Sequence, residues 1–182
     1  FEFVSGAAAR TAFDINKEDP RLRDQYGRSN WGQSTLLARR LVEAGSTFVT
    51  VHFGGWDHHW NLEPGYKSVL PRVDKAVSGL LKDLSDRGML ESTLVILCGE
   101  FSRTPRMNDG GNGGPPGSKG TPGRDHWGNS LFCLLAGGGI KGGQVVGSTN
   151  AKGERPLTRA VKPCNLHATI YKALGMDPTL HL

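Results

Sequence analysis

The sequence predicts an α/β fold with a mostly parallel sheet between helices. Three observations carry the prediction. Short apolar runs alternate with longer segments whose apolar residues recur at spacings of three and four, the pattern of strands alternating with amphipathic helices. Each run ends at glycine. Polar residues able to do chemistry follow directly after the runs, and in open α/β sheets ligands sit outside the carboxyl ends of the strands.

The first thirty residues are polar and weakly patterned, with a short candidate helix near 17–25. From Gly32 the pattern is helical: Leu36, Leu37, Arg40, Leu41 and Ala44 share a stripe, and Gly45 stands at the stop. Residues 47–53, Thr-Phe-Val-Thr-Val-His-Phe, are β-branched and aromatic and read as a strand. A second helix follows Pro64, with Val69, Leu70, Val73, Ala76, Val77, Leu80, Leu81 and Leu84 on one face and Gly88 at its end. The run 93–98 is continuously apolar, which suits a strand covered on both faces. Residues 107–124 are a Gly/Pro-rich loop, 131–136 a third buried strand, and 165–174 a last helix with Asn165 as N-cap and Gly175 at C′.

A chain of 182 residues suits one domain and can bury about 70% of its unfolded surface. At 37% hydrophobic and 21% charged residues it has ordinary globular composition. The net charge of +5 comes from basic residues scattered along the chain, which read as solvated surface and not as a nucleic-acid footprint. No apolar run approaches the roughly 18 residues of a membrane span. Cys98, Cys133 and Cys164 are widely spaced, and two of them lie in strand-like runs, so buried free thiols are expected over a disulfide framework. The chain opens on Phe1 without a visible leader and stops after Leu182 without a closing element. It reads as a piece cut at both ends, a single partial domain over 1–182, whose lack of a leader says nothing about export.

Three clusters carry candidate chemistry. Asp57-His58-His59 follows the first strand; carboxylate and imidazole together suit Zn-, Mn- or Fe-type ions. Alternate residues of an extended segment point the same way, which puts Asp57, His59 and Asn61 on one face and turns His58 aside. The alternative is a polar turn anchored by Trp56 and Trp60. Glu100, at the end of the second strand, can ligate a metal or act as a base, and Arg103 can hold an anionic oxygen through its planar fork. The alternative there is a surface Glu–Arg pair. Asp125-His126 after the long loop again suggests ligation, against a histidine bonded to backbone under Trp127. Arg103, Arg106, Lys119 and Arg124 lie near these motifs with only Asp109 between Arg103 and Arg124 to oppose them, a balance that favours an anionic substrate. His52 and His167 read as structural, and His181 takes no role. The glycine runs 137–139 and 142–143 match no nucleotide-binding motif.

Together these stretches resemble the C-terminal half of DUF1501 proteins. The matching residues are Leu36–Gly45, the Gly55-Trp56-Asp57-His58-His59-Trp60-Asn61 motif, Thr93–Pro105, Gly123–Trp127, Gly137–Gly139 and Ala173–Pro178. That family is similar to the alkaline phosphatase and sulfatase superfamily, whose members hold one or two metals at the ends of a parallel sheet and attack a phosphate or sulfate ester with a Ser, Thr or modified Cys nucleophile. The resemblance implies an alkaline phosphatase-like fold, incomplete here. It implies a divalent metal (Zn, Mn or Ca) held by Asp57, His59, Glu100 and His126; the residue pattern adds Asp125 to that set, and Arg103 or Arg124 would stabilise developing charge. Glu100 stands where relatives carry Asp, and Phe101 where they carry a histidine. The nucleophile belongs to the N-terminal half of that fold; Ser102 is the only hydroxyl beside a ligand candidate. The implied activity is ester hydrolysis by an exported protein acting on an anionic small molecule or glycan. The alternative is a non-catalytic exported domain that binds such anions.

Overall fold

The computed structural model describes residues 6–179, so His181 lies outside the described residues. The chain divides into two compact units, one taking in the chain up to Asp57 together with Glu63–Arg87, the other His58–Leu62 together with the chain from Gly88 onward.

The first unit is helical. Helix α1 spans Ala7–Phe13, α2 Pro20–Tyr26, α3 Asn30–Glu43 and α4 Leu62–Asp86, the last entering this unit at Glu63. Local chemistry sets the starts. The Asp19 carboxylate accepts from the Arg21 amide, with Pro20 supplying a ready-made first helical position, and the Ser29 hydroxyl accepts from the Gly32 amide. A side chain at Gly32 would meet the carbonyl oxygens of Tyr26 at 2.2 Å and Gly27 at 2.3 Å, so only glycine lets α3 start against the end of α2. Ala9, Ala12, Tyr26, Leu36, Val73, Ala76 and Leu84 form the apolar interior.

That interior contains an ion cluster. Arg39 emerges from α3 with its side chain 1% exposed and pairs with Glu18, Glu43 and Asp83. Arg40 reaches the same Glu18 at 2.8 Å, and Arg87 reaches Asp83 at 2.7 Å. Tyr26 donates its hydroxyl to Asp83 at 2.8 Å; burial and the Asp83 carboxylate push that phenol well above its ordinary range, so it remains a donor. The buried face of α3 is therefore Gly32, Thr35, Leu36 and Arg39, one step round from the predicted stripe. The strand expected over 47–53 does not form. The segment pairs with no other strand, and Phe53 instead stacks on Trp31 at 5.2 Å between centroids, with Trp56 on Trp31 at 5.9 Å.

The second unit corrects the fold class. Strand β1 (Val95–Cys98) pairs antiparallel with β4 (Cys133–Ala136), β2 (Ser102–Arg103) with β3 (His126–Trp127), and β5 (Ser148–Thr149) with β6 (Pro156–Thr158). Among the described residues there are only these two-stranded antiparallel pairs and no parallel sheet. A parallel return needs a crossover, usually a helix. Between β1 and β4 the chain has the short β2–β3 pair and the Gly/Pro-rich loop but no helix, so it doubles back. The apolar runs predicted both-sided burial, yet β1 and β4 are half-buried to exposed. The cysteines follow suit: all three are free, Cys98 and Cys164 exposed and Cys133 half-buried, against the expectation of buried thiols.

Helix α5 runs Pro163–Ala173, two residues earlier than predicted. Asn165 caps it from the third helical position, its side chain accepting from the Lys162 amide at 2.8 Å. Gly175 takes φ +76° at the stop. No helix among the described residues is long and apolar enough to cross a membrane.

Removing one partner of a buried ion pair leaves the others uncompensated, at a cost of about 3–5 kcal/mol. Arg39→Ala should therefore lower the urea midpoint of the first unit by that order, whereas Lys67→Ala, on an exposed pair, should change it by less than about 0.5 kcal/mol. Burial opposes ionisation of Glu18, but hydrogen bonds from Arg40 and Arg39 outweigh it and hold the carboxyl below its ordinary value of 4.5. A depressed folded value means stability that is present above the unfolded pKa and lost as pH falls through the folded one. Urea midpoints measured downward from pH 5 should fall, and Glu18→Gln should flatten that decline; an unchanged slope would remove Glu18 from the account.

Candidate metal centre

In the second unit, His59, Asp125 and His126 sit on loop segments that backbone hydrogen bonds stitch together. The Asn61 amide donates to the Thr121 carbonyl, Leu62 to Pro122 and Arg124 to His58, each at 3.0 Å. The Thr104 amide donates to the Asp125 carbonyl and Asn108 to Gly123, both at 2.9 Å. The β2–β3 rungs Ser102–Trp127 and Arg103–His126 continue the second seam. Gly123 is where the two seams meet: a Cβ there would lie 2.0 Å from the carbonyl carbon and oxygen of His59. The loop 107–124 has no periodicity but is not loose. The Ser118 hydroxyl donates to the Gly110 carbonyl at 2.7 Å, and the Gly120 amide to Asp109 at 2.7 Å.

On this frame Asp125 fixes His59. Its Oδ1 accepts from His59 Nδ1 at 2.7 Å, from Asn112 Nδ2 at 2.7 Å and from Asn108 Nδ2 at 3.0 Å. The His59 hydrogen bond is the largest cause holding Asp125 below its ordinary range; partial burial works against it, and the two asparagines add to it. An ionised carboxylate only accepts, so the shared proton lies on His59 Nδ1 and, in the neutral ring, Nε2 carries the lone pair. That Nε2 stands 3.2 Å from His126 Nε2. Asp57, two residues ahead of His59, completes a set in which one ligand atom each from Asp57, His59 and His126 lie within 4.8 Å of one another.

The orientation of Asn108 is fixed from both ends, because its Oδ1 accepts from the amides of Gly110 at 2.7 Å and Gly123 at 3.3 Å. His126 is packed by Phe101, ring centroids 4.3 Å apart at 37°. Arg103 lies 5.9 Å over Phe101 and donates to the Arg124 carbonyl at 3.3 Å.

The structure thus brings Asp57, His59 and His126 together and places Asp125 behind His59 instead of among the ligand atoms. Glu100 stands in an exposed bend outside the cluster. Asn61 takes a left-handed turn conformation, φ +51°, and its amide serves the backbone seam. The sequence reading missed Asn108 and Asn112. Their signal lay in the turn dipeptides of the loop, Asn108-Asp109-Gly110 and Asn112-Gly113, whose asparagines have side-chain amides to spare for a neighbouring carboxylate. An open groove lined by Thr104, Arg106, Met107, Asn108, Asp109 and Asp125 borders the cluster.

No curated protein and no solved structure matches the chain. A family model does, described as a protein of unknown function (DUF1501) and matching residues 2–181. The chain belongs to the DUF1501 family.

Proposed function

We propose that His59, His126 and Asp57 hold one divalent metal, oriented by Asp125, and that the intact protein uses this centre to hydrolyse phosphate or sulfate esters. The observation that carries the reading is the face-to-face placement of the His59 and His126 Nε2 atoms at 3.2 Å. Two nitrogens bound at about 2.0–2.1 Å to one tetrahedral ion stand roughly 3.3 Å apart, so the pair has the spacing of co-ligands. The carboxylate–histidine arrangement behind it is the one that orients metal-bound imidazoles. Two imidazoles and a carboxylate favour zinc or manganese over calcium, which takes oxygen ligands. When bound, such an ion polarises an ester oxygen. Arg106 lines the groove beside Asp125, and Arg103 and Arg124 bring further positive charge to the same segments, which suits an anionic ester. The likeness to the alkaline phosphatase and sulfatase superfamily, and with it export, rests on residue pattern alone, since the described strands pair antiparallel.

One observation favours a second reading, binding of an anionic ligand without turnover. The Thr104 hydroxyl beside the cluster is occupied, donating to the Arg106 carbonyl at 2.8 Å and accepting from the Asp125 amide at 3.1 Å, and so is not presented as a nucleophile.

Calorimetric titration should find one zinc or manganese per chain. His59→Ala and His126→Ala should abolish uptake, and Asp125→Asn should weaken it by about 10–100-fold. Glu100→Gln should leave it unchanged. Uptake that survives His126→Ala would sink the assignment. For the activity, the intact protein should hydrolyse aryl phosphate or aryl sulfate, and Asp57→Ala should abolish the rate. Saturable binding of the aryl ester with no turnover would decide for the second reading.

Gly123→Ala must push the His59 backbone away. It should cost about 1–3 kcal/mol, as overpacking does, and lower metal affinity in the same titration. Affinity equal to wild type would show that the seam does not position His59.

A further inference from the structure

Strand β1 ends on Cys98 and β4 begins on Cys133, and the two are direct partners on the last rung of the ladder. Opposed residues of an antiparallel pair put their side chains on one face, with Cβ atoms about 4.5–5.5 Å apart. A disulfide needs Cα atoms about 4.4–6.8 Å apart and Cβ atoms about 3.5–4.5 Å apart. The rung is therefore within a small closure of the required geometry, and it is placed where closure is cheapest. Beyond it the ladder is interrupted: residues 99–101 on one strand face 128–132 on the other before pairing resumes at Ser102–Trp127. Both thiols are free. Burial is the main cause that pushes the Cys133 thiol up to about 11, and the adjacent Cys98 adds to it.

We propose that Cys98 and Cys133 form a redox-closable pair that stores an intramolecular disulfide by exchange with an oxidised small-molecule disulfide. Cys98 is exposed and Cys133 half-buried, so Cys98 meets the oxidant first. Its thiolate attacks one sulfur of the oxidant, the S–S bond of the oxidant breaks, and one thiolate leaves. Cys133 then gives its proton to solvent and attacks the Cys98 sulfur, releasing the second thiolate. The protein dithiol is oxidised by two electrons and the oxidant is reduced to two thiols. The ring so closed spans residues 98–133 and encircles Arg103, Asn108, Asn112, Asp125 and His126. Cross-linking removes freedom from that loop. The inference does not depend on a metal being bound.

The test is oxidation of the full chain with glutathione disulfide, followed by thiol titration and peptide mapping without reduction. The thiols of Cys98 and Cys133 should both be lost without a lasting glutathione adduct on either, and a peptide joining Cys98 to Cys133 should appear, whether or not the exposed Cys164 takes up glutathione. Cys133→Ser should trap glutathione on Cys98, while Cys164→Ser should close normally. A link through Cys164, a glutathione adduct persisting on Cys98 in the wild-type chain, or no thiol loss in excess oxidant would each overturn the proposal. The wild-type mapping decides the matter even if a variant fails to fold.

Discussion

A single carboxylate oxygen, Oδ1 of Asp125, holds together the site segments of the second unit. It accepts hydrogen bonds from His59, Asn108 and Asn112, which come from two separate stretches of chain. Each bond is charge-assisted, and such bonds are shorter and stronger than those between neutral groups. Their consequence is directional. Because the carboxylate is ionised it can only accept, so it commits one nitrogen of His59 to donation and turns the other toward His126. The loop around it carries glycines where a side chain would block the approach, Gly123 above all. The described residues of this unit have little apolar interior, and its buried positions include Gly110, Ser118 and Gly123 in the loop itself. Polar pairing, more than apolar burial, gives this loop its shape.

The first unit uses a different device for the same end. Arg39 is surrounded by three carboxylates, and the surplus of negative charge is met by Arg40 and Arg87 at the edge. A buried network of this kind is weak as net stabilisation, because desolvation offsets most of the Coulomb gain. It is demanding in geometry. Tyr26, Glu18, Glu43 and Asp83 satisfy it only when α2, α3 and α4 are in register, so the cluster favours one packing of the helices over near alternatives.

How much of this was legible in the residues depends on what kind of information each feature uses. The helices over 30–43 and 62–86 were readable because apolar spacing reports directly on a helix with one buried face. The register of α3 was not, since Arg39 looks like a surface residue until its carboxylate partners are found in other elements. The run 47–53 has every local property of a strand, yet strand formation needs a pairing partner, and local propensity does not say whether one exists. The same limit produced the parallel sheet: alternation of elements implied crossovers, while the segment joining β1 to β4 held no helix to make one. In the site, Asp57, His59 and His126 stood out as chemistry-bearing types in a glycine-rich setting. Glu100 stood out on the same grounds, but the bend at residues 99–101 leaves it outside the cluster. Asn108 and Asn112 were hidden because an asparagine in a glycine-rich loop is ordinarily explained by the turn it makes.

The surroundings of His126 bear on how many ions the proposed centre would hold. A two-ion centre, with metals about 3.5–4 Å apart, needs more ligands than a single ion. Among the described residues the cluster offers Asp57, His59 and His126, while the Asp125 oxygen that faces His59 is filled by three donors. The position beside Glu100 that could have supplied another imidazole is Phe101, and its ring lies against His126. An apolar ring there cannot ligate. What it does is restrict the His126 ring by contact, as Asp125 restricts His59 by hydrogen bonding. The two histidines are thus held by unlike means, one polar and one aromatic, in a relation that suits one ion between them. Glu100 lies in an exposed bend outside the cluster. If the proposed centre holds metal, this arrangement suits one ion and not two.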